Sequence, residues 1–412
     1  MLLKHTIKTQ WSLFVLILSL NWLLAFIFCK HFNPTSKFYH LENNYENYLY
    51  KSKLLEESSH RAQKELEQYN FSSPLFHELS NASQSKYMCV SFLSKNRIGS
   101  DGVNYISQAL MSFLTRTPRE LKNRIKLIAF NTEDDAQTNV NLIQLKKLVN
   151  IENLNSKISN DNLRIKEAAD YALVLEYLYK QNCQNSIIME DDALIATQWF
   201  QSVKSALDYI ESTHQENEFI YIKLFSGYKF FDWDWLRYPY IVIKVLLYVL
   251  ILMGFNLAEL ALVNLKYKAT KLSALKIILL TVNSLSLIVI FYTTSYAPCG
   301  VGVRPYSTGF GTVSVLVPHS KLILLSNYLN QTVYAYLAGK INYINAKDLI
   351  IDTFKRENNL SEFIIEPSIV QHIGLHSSLY SRDSGNQGYK KMYKSFSWPD
   401  SKKLIRFDSS WK

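Results

Sequence analysis

Arginine-rich runs, paired cysteines and a phosphate-loop lysine are all missing from this 412-residue chain, and each absence removes a class of function. Lys and Arg number 45 against 35 Asp and Glu, a formal charge of +10. Yet the basic residues are scattered over Lys122 to Lys126, Lys266 to Lys271 and Lys390 to Lys403, so no basic face forms for nucleic acid. Much of the excess flanks apolar segments, as at membrane boundaries. The four cysteines show neither CxxC nor Cys/His ligand spacing, which argues against zinc. Cys29 ends an apolar run. Cys89, Cys183 and Cys299 leave room for one disulfide in an oxidising lumen, with its pairing open. The glycines of Gly300-Val-Gly-Val-Arg-Pro and Tyr306-Ser-Thr-Gly-Phe-Gly311 suit either close backbone approach by a ligand or ordinary turns before a strand. Without a phosphate-loop lysine they do not make a nucleoside triphosphatase.

What the chain does have is long apolar runs. Trp11 to Cys29 carries no charge and matches the ~20 apolar residues that span a bilayer as a helix. Phe26, Ile27 and Phe28 stand where a cleavable signal needs small residues, so a retained anchor is expected. Tyr240 to Asn264 and Leu272 to Thr294 form a second apolar pair, joined by a link carrying Lys266, Lys268 and Lys271. The positive-inside rule makes that link cytoplasmic and both flanks lumenal. Lys244, Glu259 and Lys276, in or near these runs, suit snorkelling or helix pairing better than an ion pathway. Sequons at Asn70, Asn81, Asn330 and Asn359 all fall on the expected lumenal side.

These features divide the chain into a cytoplasmic tail (1–10), an anchor (11–29), a stem (30–85), a first catalytic part (86–238), a membrane hairpin (239–295, tip near 265–271) and a second catalytic part (296–412). The stem includes a charged helical stretch, Tyr45 to Tyr69. Strands and helices then alternate. Strands are expected over Lys86 to Leu93, Ile125 to Phe130, Ser186 to Met189, Glu218 to Phe225 and Thr312 to Val317, and helices over Asn104 to Arg116, Lys166 to Gln181 and Ala193 to Tyr209. Such alternation predicts an α/β fold with a largely parallel sheet, covered by helices on both faces. Ligands of such sheets bind at the carboxyl ends of the strands.

Glu190-Asp191-Asp192 stands at one such end, directly after Ile187-Ile188-Met189. Three adjacent acids repel one another and call for a cation. Hard oxygen ligands suit Mn²⁺ or Mg²⁺, with substrate phosphates completing the shell. The plainer reading is an acidic helix start, with Asp192 as cap. Far along the chain, His372 and His376 come just after a short apolar stretch, spaced so that one can reach a metal while Ser377 and Ser378 face phosphate oxygens. Asp348 and Asp352 lie four apart on one helical face, as candidate general bases or as a solvated face. Arg304 and Lys229 are candidate phosphate partners.

Taken together, Lys166-Glu-Ala-Ala-Asp-Tyr171, Ile188-Met-Glu-Asp-Asp192, Lys347-Asp348 with Asp352, and Pro367 to Ser378 resemble two related glycosyltransferase families. The closer is the Golgi GPI-glycan N-acetylgalactosaminyltransferase family of post-GPI-attachment processing. The broader is the N-acetylglucosaminyltransferase IV group. The likeness runs from about Lys86 to about Ser378, the hairpin apart. It implies a GT-A, Rossmann-like mixed sheet interrupted by a membrane hairpin, in a multi-pass Golgi membrane protein with its catalytic domain in the lumen. It further implies Asp192 and His372 as Mn²⁺ ligands, with His376 next. Glu190 and Asp191 would contact the uridine and ribose of a UDP-sugar, Ser377 and Ser378 its diphosphate, and Asp348, then Asp352, would serve as the base of an inverting transfer. The expected reaction moves N-acetylgalactosamine from UDP-GalNAc to the mannose core of a GPI glycan. The alternatives are an N-glycan N-acetylglucosaminyltransferase and a non-enzymatic membrane scaffold.

Overall fold

In a computed structural model, the chain divides into two compact units. One comprises Met1–Asn44 with Tyr228–Cys299, of which only Ser19 and Leu23 are described. The other comprises Tyr45–Gly227 with Gly300–Lys412. Within it the structure describes residues 45–68, 87–95, 103–225, 302–306 and 311–374, apart from short gaps at 123, 136, 155, 157, 159–162, 214–217 and 367. No helix among the described residues is long and apolar enough to cross a membrane. The expected anchor, Ser19 and Leu23 apart, and the expected hairpin lie outside them.

The elements run α1 (Tyr45–Gln68), β1 (Met88–Ser94), α2 (Tyr105–Arg116), α3 (Arg119–Lys122), β2 (Ile125–Asn131), α4 (Val140–Ile143), β3 (Asn150–Asn153), α5 (Leu163–Lys180), β4 (Asn185–Glu190), β5 (Ala193–Ile195), α6 (Trp199–Thr213), β6 (Phe219–Lys223), β7 (Gly302–Tyr306), β8 (Ser314–Pro318), α7 (His319–Leu337), α8 (Lys347–Glu357), β9 (Ser361–Glu366) and β10 (Val370–His372). Eight strands form one sheet in the order β3-β2-β1-β4-β8-β6-β9-β7, while β5 and β10 form a separate ribbon. The pairs β3–β2, β2–β1, β1–β4 and β6–β9 are parallel. β8 runs antiparallel to both β4 and β6, and β7 runs antiparallel to β9. The sheet is therefore mixed. Strands from both sides of residues 226–301 lie within it, so the segment after residue 301 completes a sheet that the segment before 226 begins.

Period-two alternation along the strands splits the core between the two faces. Met88, Val90, Phe92, Ile187, Met189 and Leu316 point into a cluster closed by α1, α2 and α6. Cys89, Ile128, Phe130, Ile188, Val315 and Val317 point into one closed by α5, α7 and α8. A bulge between Phe219 and Tyr221 shifts the alternation in β6, so that Ile222 joins the first cluster. α2 starts at a cap in which Asn104 Oδ1 accepts from the Ser107 amide at 3.0 Å, which satisfies a donor the helix cannot.

Two local expectations change. Ala193 to Ile195 is a strand rather than the start of a helix, and the helix begins only at Trp199. Pairing with β10 overrides the helical pattern there. The charged helix read as part of a stem is docked: Ala62 and Leu66 are buried, Ser59 Oγ accepts from the Asn104 amide at 2.8 Å, and α1 packs on α2.

Cys89 on β1 and Cys183, in the turn before β4, form a disulfide across 94 residues. Closing so long a loop removes entropy from the unfolded chain, worth about 4–5 kcal/mol in the chain-entropy model. Cys183→Ala is expected to lower the melting temperature clearly in calorimetry, and reductant to do the same to the wild type only. A wild-type melt indifferent to reductant would contradict the bond.

Candidate metal centre at the end of strand β4

β4 delivers three acids to the sheet's edge because its apolar body is locked on both sides. Leu93 of β1 pairs with Glu190, and Ser314 of β8 pairs with Met189. The Glu190 amide donates to the Val313 carbonyl at 2.9 Å. The acids then separate. Asp191 is buried and its Oδ2 accepts from the Lys95 amide at 3.2 Å. Asp192 is 1% exposed, and its carbonyl accepts from the Ile373 amide at 2.8 Å.

This backbone bond continues the β5–β10 ribbon, in which His372 lies opposite Ala193. The ribbon brings a histidine from far along the chain onto Asp192, with Nε2 at 3.0 Å from Oδ2. Glu190, Asp192 and His372 each offer a ligand atom, and these atoms lie within 4.8 Å of one another. One imidazole and two carboxylates make a nitrogen and oxygen set that suits a borderline-hard divalent cation. Phe225 stands beside the imidazole, ring centroids 5.9 Å apart. Gly374 leaves the space they need: a Cβ there would come within 2.1 Å of Asp192 Oδ2 and 3.1 Å of His372 Nε2.

Beside this group sits a buried ammonium. Lys347, at the start of α8, lies 3.1 Å from Glu190 Oε1 and also contacts Glu167 Oε1 on α5. Its Nζ stands 5.7 Å from the centroid of the buried Tyr171 ring. Burial alone would pull the Lys347 pKa down. Glu167, Glu190 and Asp348 outweigh it and hold the amine well above its ordinary value. The same burial, with those carboxylates, pushes the Tyr171 hydroxyl upward.

The two candidate bases differ in surroundings. Asp348 accepts from the Gly311 amide at 3.0 Å and from the Thr312 hydroxyl, and so clamps the turn that enters β8. It lies close enough to Lys347, Tyr171 and Lys223 to act on each electrostatically. Asp352 is instead held by cations of its own helix, Lys355 at 2.8 Å and Arg356 at 3.2 Å. Lys355 joins a buried network in which Glu362 binds Lys355 at 3.1 Å and Lys223 at 3.6 Å and accepts from the Tyr221 hydroxyl at 2.7 Å.

The structure thus brings Asp192 and His372 together, with Glu190, which the resemblance assigns to the nucleoside, beside them. Asp191 faces the end of β1. Ser377, Ser378, His376 and Lys229 lie outside the described residues. Arg304 stands on β7 opposite Ile364. Sequence reasoning missed Gly374 and Lys347 as parts of the site. The adjacent histidines hinted at the first, and the second stood unread inside Lys347-Asp348. For the divalent ion that this ligand set suits, Gly374→Ala is expected to weaken binding by about ten-fold or more, as disturbed metal surroundings do, with Mn²⁺ as the probe. Calorimetric titration of the folded variant checks this, and wild-type affinity would contradict the tight contact.

No curated protein gives a match to the chain. A family model described as GPI-N-acetylgalactosamine transferase PGAP4 matches residues 88–371, more than two thirds of the sequence, from the first strand of the sheet to the residue before His372. The chain belongs to the GPI-N-acetylgalactosamine transferase PGAP4 family and is a glycosyltransferase.

Proposed function

We propose that the protein is a metal-dependent, inverting transferase that moves N-acetylgalactosamine from UDP-GalNAc to the mannose core of a GPI glycan. The observation that carries this reading is the convergence of Glu190, Asp192 and His372 at the carboxyl end of β4. The residues fit a divalent ion, Mn²⁺ or Mg²⁺: the donor set is mixed nitrogen and oxygen, and a glycine keeps the space beside it open. Asp192 and His372 hold the ion, with Glu190 alongside. When bound, the ion supplies neutralising charge for the diphosphate that leaves the sugar.

The remaining steps fall to the protein's own groups. Asp191, fixed by the Lys95 amide, stands for contact with the nucleoside. Ser377 and Ser378 follow the ribbon in sequence and are assigned to the diphosphate. Asp348 takes the proton of the attacking hydroxyl as general base. It is preferred to Asp352 because it is held by two neutral donors next to Lys347, the partner of Glu190, whereas Asp352 is engaged by two cations. A single displacement with one base inverts the anomeric carbon. The mixed sheet is read as a GT-A fold.

The chain is further read as a multi-pass Golgi membrane protein, with an anchor at 11–29, a hairpin at 239–295 and its catalytic domain in the lumen. The Cys89–Cys183 disulfide supports an oxidising compartment. The hairpin would hold the site near the bilayer, where a lipid-linked glycan presents its first sugars.

Asp192→Ala is expected to abolish Mn²⁺-dependent UDP-GalNAc binding in calorimetry. It should also cut transfer to under about one-hundredth, beyond the loss typical of an outer-shell partner. Intact binding would remove the metal centre from the mechanism. Exchanging residues 239–295 for a soluble linker is expected to spare UDP-GalNAc hydrolysis while transfer to membrane-embedded GPI falls. Undiminished GPI transfer would rule out the docking role.

A further inference from the structure

We propose that Lys347 is a positioning residue for Glu190, and that it couples this acid to the helix carrying Asp348. The inference rests on the metal reading above. Lys347 is almost fully buried, its side chain 8% exposed. A surface lysine wanders among many rotamers; here three groups from two other elements fix one amine. Glu167 and Tyr171 stand one turn apart on α5, the first as an ion pair and the second as a ring beneath the ammonium. Glu190 comes from the end of β4.

The contact to Glu190 is made through Oε1. A carboxylate has two oxygens, so this leaves the second for a cation shared with Asp192 and His372. A hydrogen-bonded partner behind a metal-binding carboxylate orients the carboxylate and preserves its basicity. Charge makes the same demand. Glu167, Glu190, Asp191, Asp192 and Asp348 gather around one strand end, and like charges so placed repel. Lys347 is the ammonium that Glu167, Glu190 and Asp348 share.

The position of Lys347 in the chain gives the coupling. Its peptide bond runs directly into Asp348, whose carboxylate is tied to Gly311 and Thr312 at the entrance to β8. β8 in turn pairs with β4. Glu190, Lys347, Asp348 and β8 therefore close a loop of contacts, and displacement of the amine would move metal-binding acid and base relative to one another.

The test is Mn²⁺ affinity of the full-length chain in detergent, by calorimetry or by the electron paramagnetic resonance of free Mn²⁺, beside thermal melts. Lys347→Met is expected to weaken Mn²⁺ binding about ten-fold or more, and Lys347→Arg to recover most of it, as for an outer-shell partner. The KM for UDP-GalNAc should rise at limiting Mn²⁺ and approach the wild-type value when Mn²⁺ saturates. A merely structural role would lower the melt without this metal-dependent split. If Lys347→Met shows no cooperative unfolding, Lys347→Gln, which keeps a donor but not the charge, takes its place with the same expected weakening. Wild-type or tighter Mn²⁺ binding in a folded variant overturns the proposal while leaving the metal centre standing. A wild-type chain that takes up no Mn²⁺ removes the metal centre and the proposal together.

Discussion

The short antiparallel pairing of Ala193–Ile195 with Val370–His372 is the constraint on which the site depends. Three residues on each side make the ribbon, and it closes a contact between segments separated by most of the domain. Register does the selecting. A slip by one residue would turn His372 away from Asp192 and set Gln371 or Ile373 in its place. The Ile373 amide on the Asp192 carbonyl and the Ala196 amide on the Ile369 carbonyl hold that register at both ends.

Around the ribbon the dominant physical problem is negative charge. Acids from β4, α5 and α8 meet in a half-buried region, and the protein answers with lysines that are themselves buried. Lys347 pairs with Glu190 and Glu167, and Lys355 and Lys223 pair with Glu362. Buried charges of this kind are tolerated only when paired and hydrogen-bonded. Burial lowers Lys223 below its usual range despite Glu362 and Asp348, whereas three carboxylates hold Lys347 above it. Three carboxylates act on Lys347, whereas Lys223 has two and lies near the Lys355 cation.

The sheet explains how a chain interrupted over residues 226–301 still builds one site. β4 leads into the acids from the segment before residue 226, while β8, α8 and β10 from the segment after residue 301 lie against β4, Glu190 and β5. β8 inserts between β4 and β6, so neither part has a complete sheet without the other. The disulfide pins β1 to the entrance of β4 on the opposite edge from the acids, and this fixes the strand that carries them.

Much of this was determined by local sequence. Alternation placed β1, β2, β4, β6 and β8 to within a residue or two, and the apolar run before Glu190 marked the strand end. The acids in that setting and the histidine segment near residue 372 were both singled out, and the fold sets Glu190, Asp192 and His372 together. Those features depend on neighbours in the chain, where spacing speaks directly. Contacts between distant segments were decided only in three dimensions. Ala193 to Ile195 reads as helix until β10 claims it as a strand. The helix at Tyr45–Gln68 reads as a solvated spacer until its buried face meets α2. Cys89 and Cys183 are equal candidates with Cys299 until β1 and β4 become neighbours. Lys347 and Gly374 sit within segments the sequence does mark, but an ion-pair partner and a missing Cβ acquire meaning only from the atoms that the fold sets against them.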